Sequence, residues 1–398
     1  MYFRSATLCT PLLLLLIIYC ATSGGLQRRL KRQSYGCIND HGEIVDWALA
    51  YQVAVADTSY LQLSGARIKG QPRSRRTPND GWIMTGIDIR HPDSMVRRTL
   101  DPVYNNQSKV DFMFYNDQPP QGAAAVRTKT RAHAKGVLVM DIKNDIGFWL
   151  RHSLPRFPVP IENSVDDMFE RNLGSYSQLF MCITLKPSVA LKTIADHLIT
   201  MRVHSFQNRF SKAALKLAPV LKDAVTLRKR FEKTTDQTLH SSFRSYSGQN
   251  ITLFSKTKDF QFDIYVEAAK AMHNDMLVTA WRQGSGNFMP SQCDLSSSKV
   301  NNVESFEYFD NATGTKYEWP ITKEHSKWAI THTANNGALF CVGDLNRVDT
   351  QFMRGGGLMC IDNKQIHDAF SSLVRTYCGC GPESAHVICD EEKWAAPK

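Results

Sequence analysis

Apolar positions along the chain fall mostly into short runs broken by Gly, Pro and Asn, and helical spacing is confined to a few stretches. From Tyr35, YGCINDHGEIVDWALAYQVAV reads as a turn and then a strand rich in Val, Ala and aromatics. Residues 65–80 are polar and Arg-rich, a surface loop, and DFMFYNDQPP has strand character closed by two prolines. KGVLVMDIKNDIGFWLRHSLP predicts a hairpin around the turn-prone Lys143-Asn144-Asp145. Helical periodicity covers residues 188–203 and 210–233, the second interrupted near Pro219. DIYVEAAKAMHND predicts another helix, followed by a strand in MLVTAWRQ. HSKWAITHTANNGALFCVGD predicts a second hairpin around Asn335-Asn336-Gly337, and residues 365–377 a final amphipathic helix.

The two hairpins form a weak internal repeat. From His133 the order is His-x-Lys, apolar strand, polar turn ending in Gly147, and a strand ending in His152 and Ser153. From His325 it is His-x-Lys, apolar strand, turn ending in Gly337, and a strand ending in Gly343, Asp344 and Asn346. Such a repeat predicts two similar α/β halves, residues 33–215 and 216–398, packed face to face with the triplets at a central cleft.

Composition is globular, 42% hydrophobic and 22% charged. The run PLLLLLIIYC is too short to span a bilayer and, with small residues behind it, reads as a signal peptide over residues 1–24. RRLKR then marks residues 25–32 as a possible propeptide, or as an exposed basic linker. Arg4, Arg28, Arg29, Lys31 and Arg32 carry half of the +10 net charge, so the body is only mildly basic. In an acidic compartment the 12 histidines add positive charge and favour a polyanionic partner. The loop bearing Arg73, Arg75 and Arg76 could track such a partner or be plainly solvated.

Of the 10 cysteines, Cys9 and Cys20 leave with the signal peptide, and the remaining even set suggests disulfides in an exported protein. Cys341 with Cys360 is the first expected pair and Cys37 with Cys182 the second. Cys378, Cys380 and Cys389 could alternatively form a zinc knuckle, although no paired Cys-x-x-Cys or His cluster supports one. Sequons at Asn106, Asn250 and Asn311 agree with glycosylation in the secretory pathway. The expected destination is the lysosome or the exterior, without a membrane anchor.

Chance supplies about 0.7 His-x-Lys triplets and two are present, His133–Lys135 and His325–Lys327, so counting does not decide their meaning; their matched hairpin context is what singles them out. On a strand, positions i and i+2 face the same way, so each triplet presents an imidazole and an ammonium together. A neutral imidazole can attack phosphorus, a protonated one can give its proton to the departing oxygen, and two lysines can neutralise the non-bridging oxygens in place of a metal. The chemistry suits phosphodiester cleavage at acidic pH.

Read with CINDHGEIVDW, YNDQPPQ, HAKGVL, GFWLRHSLPRFP, EHSKW, CVGDLNR and RGGG, the chain resembles the deoxyribonuclease II family from Cys37 to Tyr377. The resemblance implies a phospholipase D-like α/β fold: two pseudo-symmetric halves, each a mixed sheet flanked by helices, with the active site at their interface. It implies an acid endonuclease that cuts double-stranded DNA without metal or cofactor, leaves 3′-phosphate and 5′-hydroxyl ends, and degrades DNA of dying or engulfed cells. Position by position, His133, Lys135, His325 and Lys327 are the catalytic residues, either histidine being the nucleophile. GDLN resembles the Gly-Ser-x-Asn of phospholipase D relatives, making Asn346 a candidate phosphate ligand; Arg354, ahead of three glycines, is another. The Asp that strict relatives carry five residues after each Lys is Met140 and His332 here. Trp47, Trp149 and Trp328 are expected in the core, and His152 and His332 either structural or lining the cleft. The alternative is a secreted relative that binds DNA or a host protein without cutting, and a third reading, phospholipid hydrolysis, follows from the fold relation alone; plasmid nicking separates the three.

Overall fold

A computed structural model describes residues 35–56, 59–68, 81–123, 131–169, 175–226, 237–282, 286–293, 298–332 and 337–380, all within one compact unit, Tyr35–Lys398. The signal-peptide and propeptide readings, the Arg73–Arg76 loop, Asn335, Asn336 and Cys389 lie outside these residues.

A short ribbon, β1 (Cys37–Ile38) and β2 (Ile44–Val45), precedes the first sheet. That sheet holds β3 (Trp47–Gln52), β4 (Tyr60–Ser64), β5 (Ile83–Met84), β6 (Asp111–Asn116), β7 (Lys135–Asp141), β8 (Ile146–His152), β9 (Gln178–Leu185) and β10 (Ser205–Arg209). Its order is β10-β6-β7-β8-β9-β3-β4-β5. The second holds β11 (Thr238–Arg244), β12 (Asn250–Lys256), β13 (Met276–Thr279), β14 (Val300–Asp310), β15 (Thr315–Pro320), β16 (Trp328–Thr331), β17 (Leu339–Gly343), β18 (Gly356–Asp362) and β19 (Val374–Cys378). Its order is β11-β12-β18-β17-β16-β13-β14-β15, with β19 on the flank of β14. The helices are α1 (Met95–Asn105), α2 (Pro187–Met201), α3 (Lys212–Leu217), α4 (Leu221–Thr226), α5 (Ile264–Met272), α6 (Asp349–Phe352) and α7 (Lys364–Ser371).

The two-sheet α/β arrangement is the one the resemblance implies, and the same neighbour order occurs twice: β6-β7-β8-β9 and β13-β16-β17-β18, each preceded by a helix (α1, α5) and followed by one (α2, α7). One refinement concerns the pairing. The second sheet is mixed, through the parallel β13–β14 pair, whereas every described pair of the first is antiparallel. Within the first sheet the β7–β8 connection is the predicted hairpin, whose turn places Asp145 at φ 49°, a conformation Asp tolerates, while Asp141 accepts from the Asn144 backbone at 3.0 Å.

Local chemistry sets the helix ends. Pro187 opens α2, where a missing N–H costs nothing, and Arg202 closes it in the left-handed region at φ 63°. Pro219 separates α3 from α4 as its fixed geometry requires, so the interruption expected there is a full break. The predicted final helix is corrected: α7 ends at Ser371, and the β-branched and aromatic run Val374–Cys378 pairs with β14 instead.

Three apolar layers result. Outside the first sheet, Met95, Leu100 and Val103 of α1 pack on Phe112, Val137 and Phe180. Outside the second, Ile264 and Ala268 of α5 pack on Met276 and Ala329. Between the sheets, Leu138, Trp149 and Ile183 meet Leu277, Trp328 and Phe340, with Leu191 and Ile194 of α2 and Ile366 and Phe370 of α7 in one cluster. Trp47, Trp149 and Trp328 are buried here, as expected. No described helix is long and apolar enough to cross a membrane.

Cys37 is bonded to Cys182, Cys341 to Cys360 and Cys293 to Cys380. The last bond takes Cys380 out of any zinc knuckle, because a sulfur in a disulfide has no thiolate to donate. The Cys37–Cys182 bond closes a span of 145 residues and ties β1 to the centre of the first sheet. Its loss in Cys37→Ala/Cys182→Ala is expected to destabilise by roughly 2–5 kcal/mol, read as a lower urea midpoint with a steeper slope, because the unfolded chain is freed to expand.

Candidate active site

Each triplet stands at a strand entrance: His133 just ahead of β7, His325 just ahead of β16. Hydrogen bonds crossing from one sheet to the other bring these entrances together. The His133 N–H donates to the Gly355 carbonyl at 2.9 Å, the Ser177 N–H to Lys323 at 2.8 Å, and the His325 N–H back to Ser177 at 3.1 Å.

His133 is buried, and its Nδ1 lies 2.8 Å from the Asp344 carbonyl oxygen. A carbonyl only accepts, so Nδ1 carries the proton and Nε2 keeps its lone pair. That carbonyl is held in place by its own residue. The Asp344 carboxylate pairs with Arg151 at 2.5 Å and accepts from the Gly357 N–H at 2.9 Å. Burial pushes the Asp344 carboxyl up, and Arg151 opposes it. The glycines of RGGG are required by close approach rather than by phosphate contact: a Cβ on Gly355 would stand 2.0 Å from the Met201 carbonyl, and one on Gly357 2.5 Å from that of Phe254.

Lys135 and Arg354 share one carboxylate. Asp117, just beyond β6, accepts from Lys135 Nζ at 2.5 Å and from Arg354 at 2.9 Å, and lies 3.9 Å from His133 Nε2. Although burial pushes Asp117 up, Lys135, His133 and Arg354 together hold it far below the usual carboxylate range. Arg354 also donates to the carbonyls of Arg131 and Ala132. It is therefore engaged in building the site, with its guanidinium already on a carboxylate.

On the other side, His325 Nδ1 faces Gln178 Oε1 at 3.2 Å, and that oxygen also accepts from Ser153 Oγ at 2.5 Å. Lys327 Nζ donates to the His325 carbonyl at 2.6 Å. Glu324, buried beneath the triplet, accepts from Tyr51 and from the hydroxyl of Ser326, from Trp319 Nε1 at 3.0 Å and from the Ser326 N–H at 2.9 Å, so it fixes the strand entrance. The rings of Trp281 and Tyr176 lie 4.8 and 6.5 Å from that of His325.

The electrostatics tie the triplets into one field. Burial, and after it Lys135, holds His133 well below 6.5, with Arg354 and Lys327 acting in the same sense. Burial, then Lys327, Lys135 and His133, does the same to His325. Burial and Lys135 push Lys327 down to about 7. Both imidazoles are therefore neutral in the free protein, beside Lys135 and Arg354, which Asp117 balances, and Lys327.

Of the remaining candidates, Asn346 is buried on the loop that carries Asp344, and its Oδ1 has no hydrogen-bond partner among the described residues. His152 is buried against Phe157 and Phe180, and burial followed by Lys135 holds it well below 6.5. His332 lies past the far end of β16 against Tyr377, remote from the triplet. Among the sequons Asn311 is exposed, Asn106 and Asn250 partly so. Sequence reasoning assigned no role to Asp117, Gln178, Glu324 or Arg151. Asp117 lay within YNDQPPQ and Glu324 within EHSKW, but nothing local pairs Asp117 with Lys135 and Arg354, or Glu324 with Tyr51.

The family profile described as Deoxyribonuclease II matches residues 36–380. Deoxyribonuclease-2-alpha of Mus musculus is 29% identical over 87% of this chain and 94% of its own length. Cell-death-related nuclease 7 of Caenorhabditis elegans is 28% identical over 85% and 86%, and Plancitoxin-1 of Acanthaster planci 27% over 87% and 93%. With the match running through both sheets and both triplets, the chain belongs to the deoxyribonuclease II family.

Proposed function

We propose that the protein is an acid endodeoxyribonuclease that hydrolyses double-stranded DNA to 3′-phosphate and 5′-hydroxyl ends through a phosphohistidine intermediate. The observation that carries this reading is the convergence of two His-x-Lys entrances, one from each sheet, with the His133 proton fixed on Nδ1 by the Asp344 carbonyl. His133 Nε2 attacks phosphorus as the bond to O5′ breaks, and His325 gives that oxygen its proton. His325 then takes a proton from water, whose oxygen displaces Nε2 and leaves a 3′-phosphate. Lys135 and Lys327 neutralise the non-bridging oxygens. His133 is the more enclosed ring and His325 the more exposed, which suits a nucleophile shielded from water and an acid–base group that must meet it. In this reading the substrate is DNA of dying or engulfed cells in a lysosomal or extracellular setting; the relatives' names, a deoxyribonuclease and a cell-death-related nuclease, support DNA and cell death.

The acidic optimum follows from the free-state charges. His325 is neutral until a phosphodiester anion seats between the lysines, and that anion raises its pKa, so binding takes up a proton. Lys327 loses its charge as pH rises past about 7. Binding therefore weakens with rising pH: the Kd of the His133→Ala protein for plasmid DNA is expected to increase about tenfold or more from pH 5 to pH 8 at constant ionic strength. A flat Kd would refute the linkage. The activity itself is tested by plasmid nicking at pH 5 with EDTA, followed by polymerase extension of the products with and without phosphatase. Nicks that extend without phosphatase, or no nicking in EDTA, would sink the reading.

A further inference from the structure

We propose that Tyr176 and Trp281 form a stacking subsite for the base of the leaving nucleotide, the one attached through O5′ to the scissile phosphate. The inference rests on the reading of His325 as the group that protonates O5′. The leaving nucleoside then departs on the side of His325, and this is where the two rings stand. Tyr176 and Trp281 are 4.6 Å apart at 83°, and Trp281 is 4.8 Å from His325 at 74°.

Neither ring belongs to the core. Trp47, Trp149, Trp319 and Trp328 are buried, whereas Trp281 and Tyr176 are partly exposed. The other partly exposed tryptophan among the described residues, Trp82, has a structural use: its N–H donates to the Ala369 carbonyl at 2.7 Å and its ring packs on Phe370 and Tyr51. The pair is also held in place. Tyr176 precedes β9 and Trp281 follows β13, so the rings straddle the junction of the two sheets. The backbone bonds of Ser177 to Lys323 and His325 fix Tyr176 against the triplet. Beside Trp281, Arg282 is anchored by Glu304 at 2.7 Å and by the Phe288 ring at 4.1 Å. Lys323, exposed and 5.8 Å from the Tyr176 ring, places a cation where the backbone beyond such a base would run.

The His133 side differs. Its immediate neighbours are Asp117, Lys135, Arg354 and the Asp344 carbonyl, charged and polar groups that offer no ring face to a base. Stacking is accordingly one-sided. Because every base has a π-face, the subsite takes any base and sets a requirement for one, without reading its identity.

Single-stranded oligonucleotides with one cleavable phosphodiester among methylphosphonate linkages would test this, with an abasic tetrahydrofuran residue placed immediately 3′ or immediately 5′ of that bond. For the wild type, kcat/KM is expected to fall roughly ten- to a hundredfold with the 3′ abasic residue and by no more than about twofold with the 5′ one. Trp281→Ala should lower the rate on the intact strand and become indifferent to the 3′ abasic residue, while Trp281→Phe keeps the discrimination. A Trp281→Ala protein that still discriminates, equal losses on all three substrates, or a wild type indifferent to the 3′ abasic residue would overturn the subsite. Wild type that cuts none of these strands, nor plasmid DNA, would instead defeat the nuclease reading beneath it.

Discussion

His133→Ala is expected to lose at least about a thousandfold in DNA cleavage at pH 5, and His325→Ala a comparable amount, yet the two should part on a different substrate. With a p-nitrophenyl phosphodiester of a nucleoside 3′-phosphate the leaving group needs no proton. His325→Ala should then still release a burst of p-nitrophenolate and stall with phosphorus on His133, visible as an alkali-stable adduct by mass spectrometry. His133→Ala should release none, because no other group is proposed to form the P–N bond. The contrast separates the roles as rates on DNA do not, since both steps are needed there. A burst from His133→Ala with an adduct on His325 would reverse the assignment. The structural reason for the stated direction is enclosure: both rings face an acceptor through Nδ1, His133 the Asp344 carbonyl at 2.8 Å and His325 the Gln178 amide oxygen at 3.2 Å, but His133 is the more buried, which suits a nucleophile kept from water.

Asp117→Ala should cost roughly 3–5 kcal/mol of stability, because it leaves the buried Lys135 ammonium and the Arg354 guanidinium without their shared counterion. The sign with pH is definite. The folded carboxyl is held far below its unfolded value of about 3.8, so its contribution is fully present above that value and is lost only as pH falls further. At pH 5 the deficit of the variant should therefore be as large as at pH 7. Inorganic phosphate or sulfate should raise the melting temperature of Asp117→Ala more than that of the wild type, since an anion between the triplets replaces the missing charge. Equal shifts would mean that Asp117 supports packing rather than balancing the cations. Activity should fall as well, because unbalanced cations push His133 further down and leave Lys135 without a fixed position.

Much of this was legible in the chain because it is local. Strand alternation, the turn at Lys143–Asp145, the break at Pro219 and the hairpin context of both triplets depend on neighbours in sequence, and they appear where the pattern placed them. The exception, residues 374–378, is instructive: helical spacing continues past Ser371, but a free edge of β14 was available and the β-branched run took it. The resemblance located the histidines and lysines, yet it could not show what holds them. Asp117 reaches Lys135 because β6 and β7 are neighbours in the sheet, and it reaches Arg354 because the segment entering β18 is bonded to the entrance of β7 through His133 and Gly355. Asp344 meets His133 across 211 residues and Gln178 meets His325 across 147. By itself the sequence determined the elements, the two triplets and the kind of chemistry they suit, since these follow from residue type and short-range spacing. The tertiary structure alone decided which carboxylate neutralises which cation, which nitrogen of His133 is free, and that Tyr176 and Trp281 stand beside His325. Those contacts depend on the order of strands and the packing of one sheet on the other, and no periodicity along the chain encodes them.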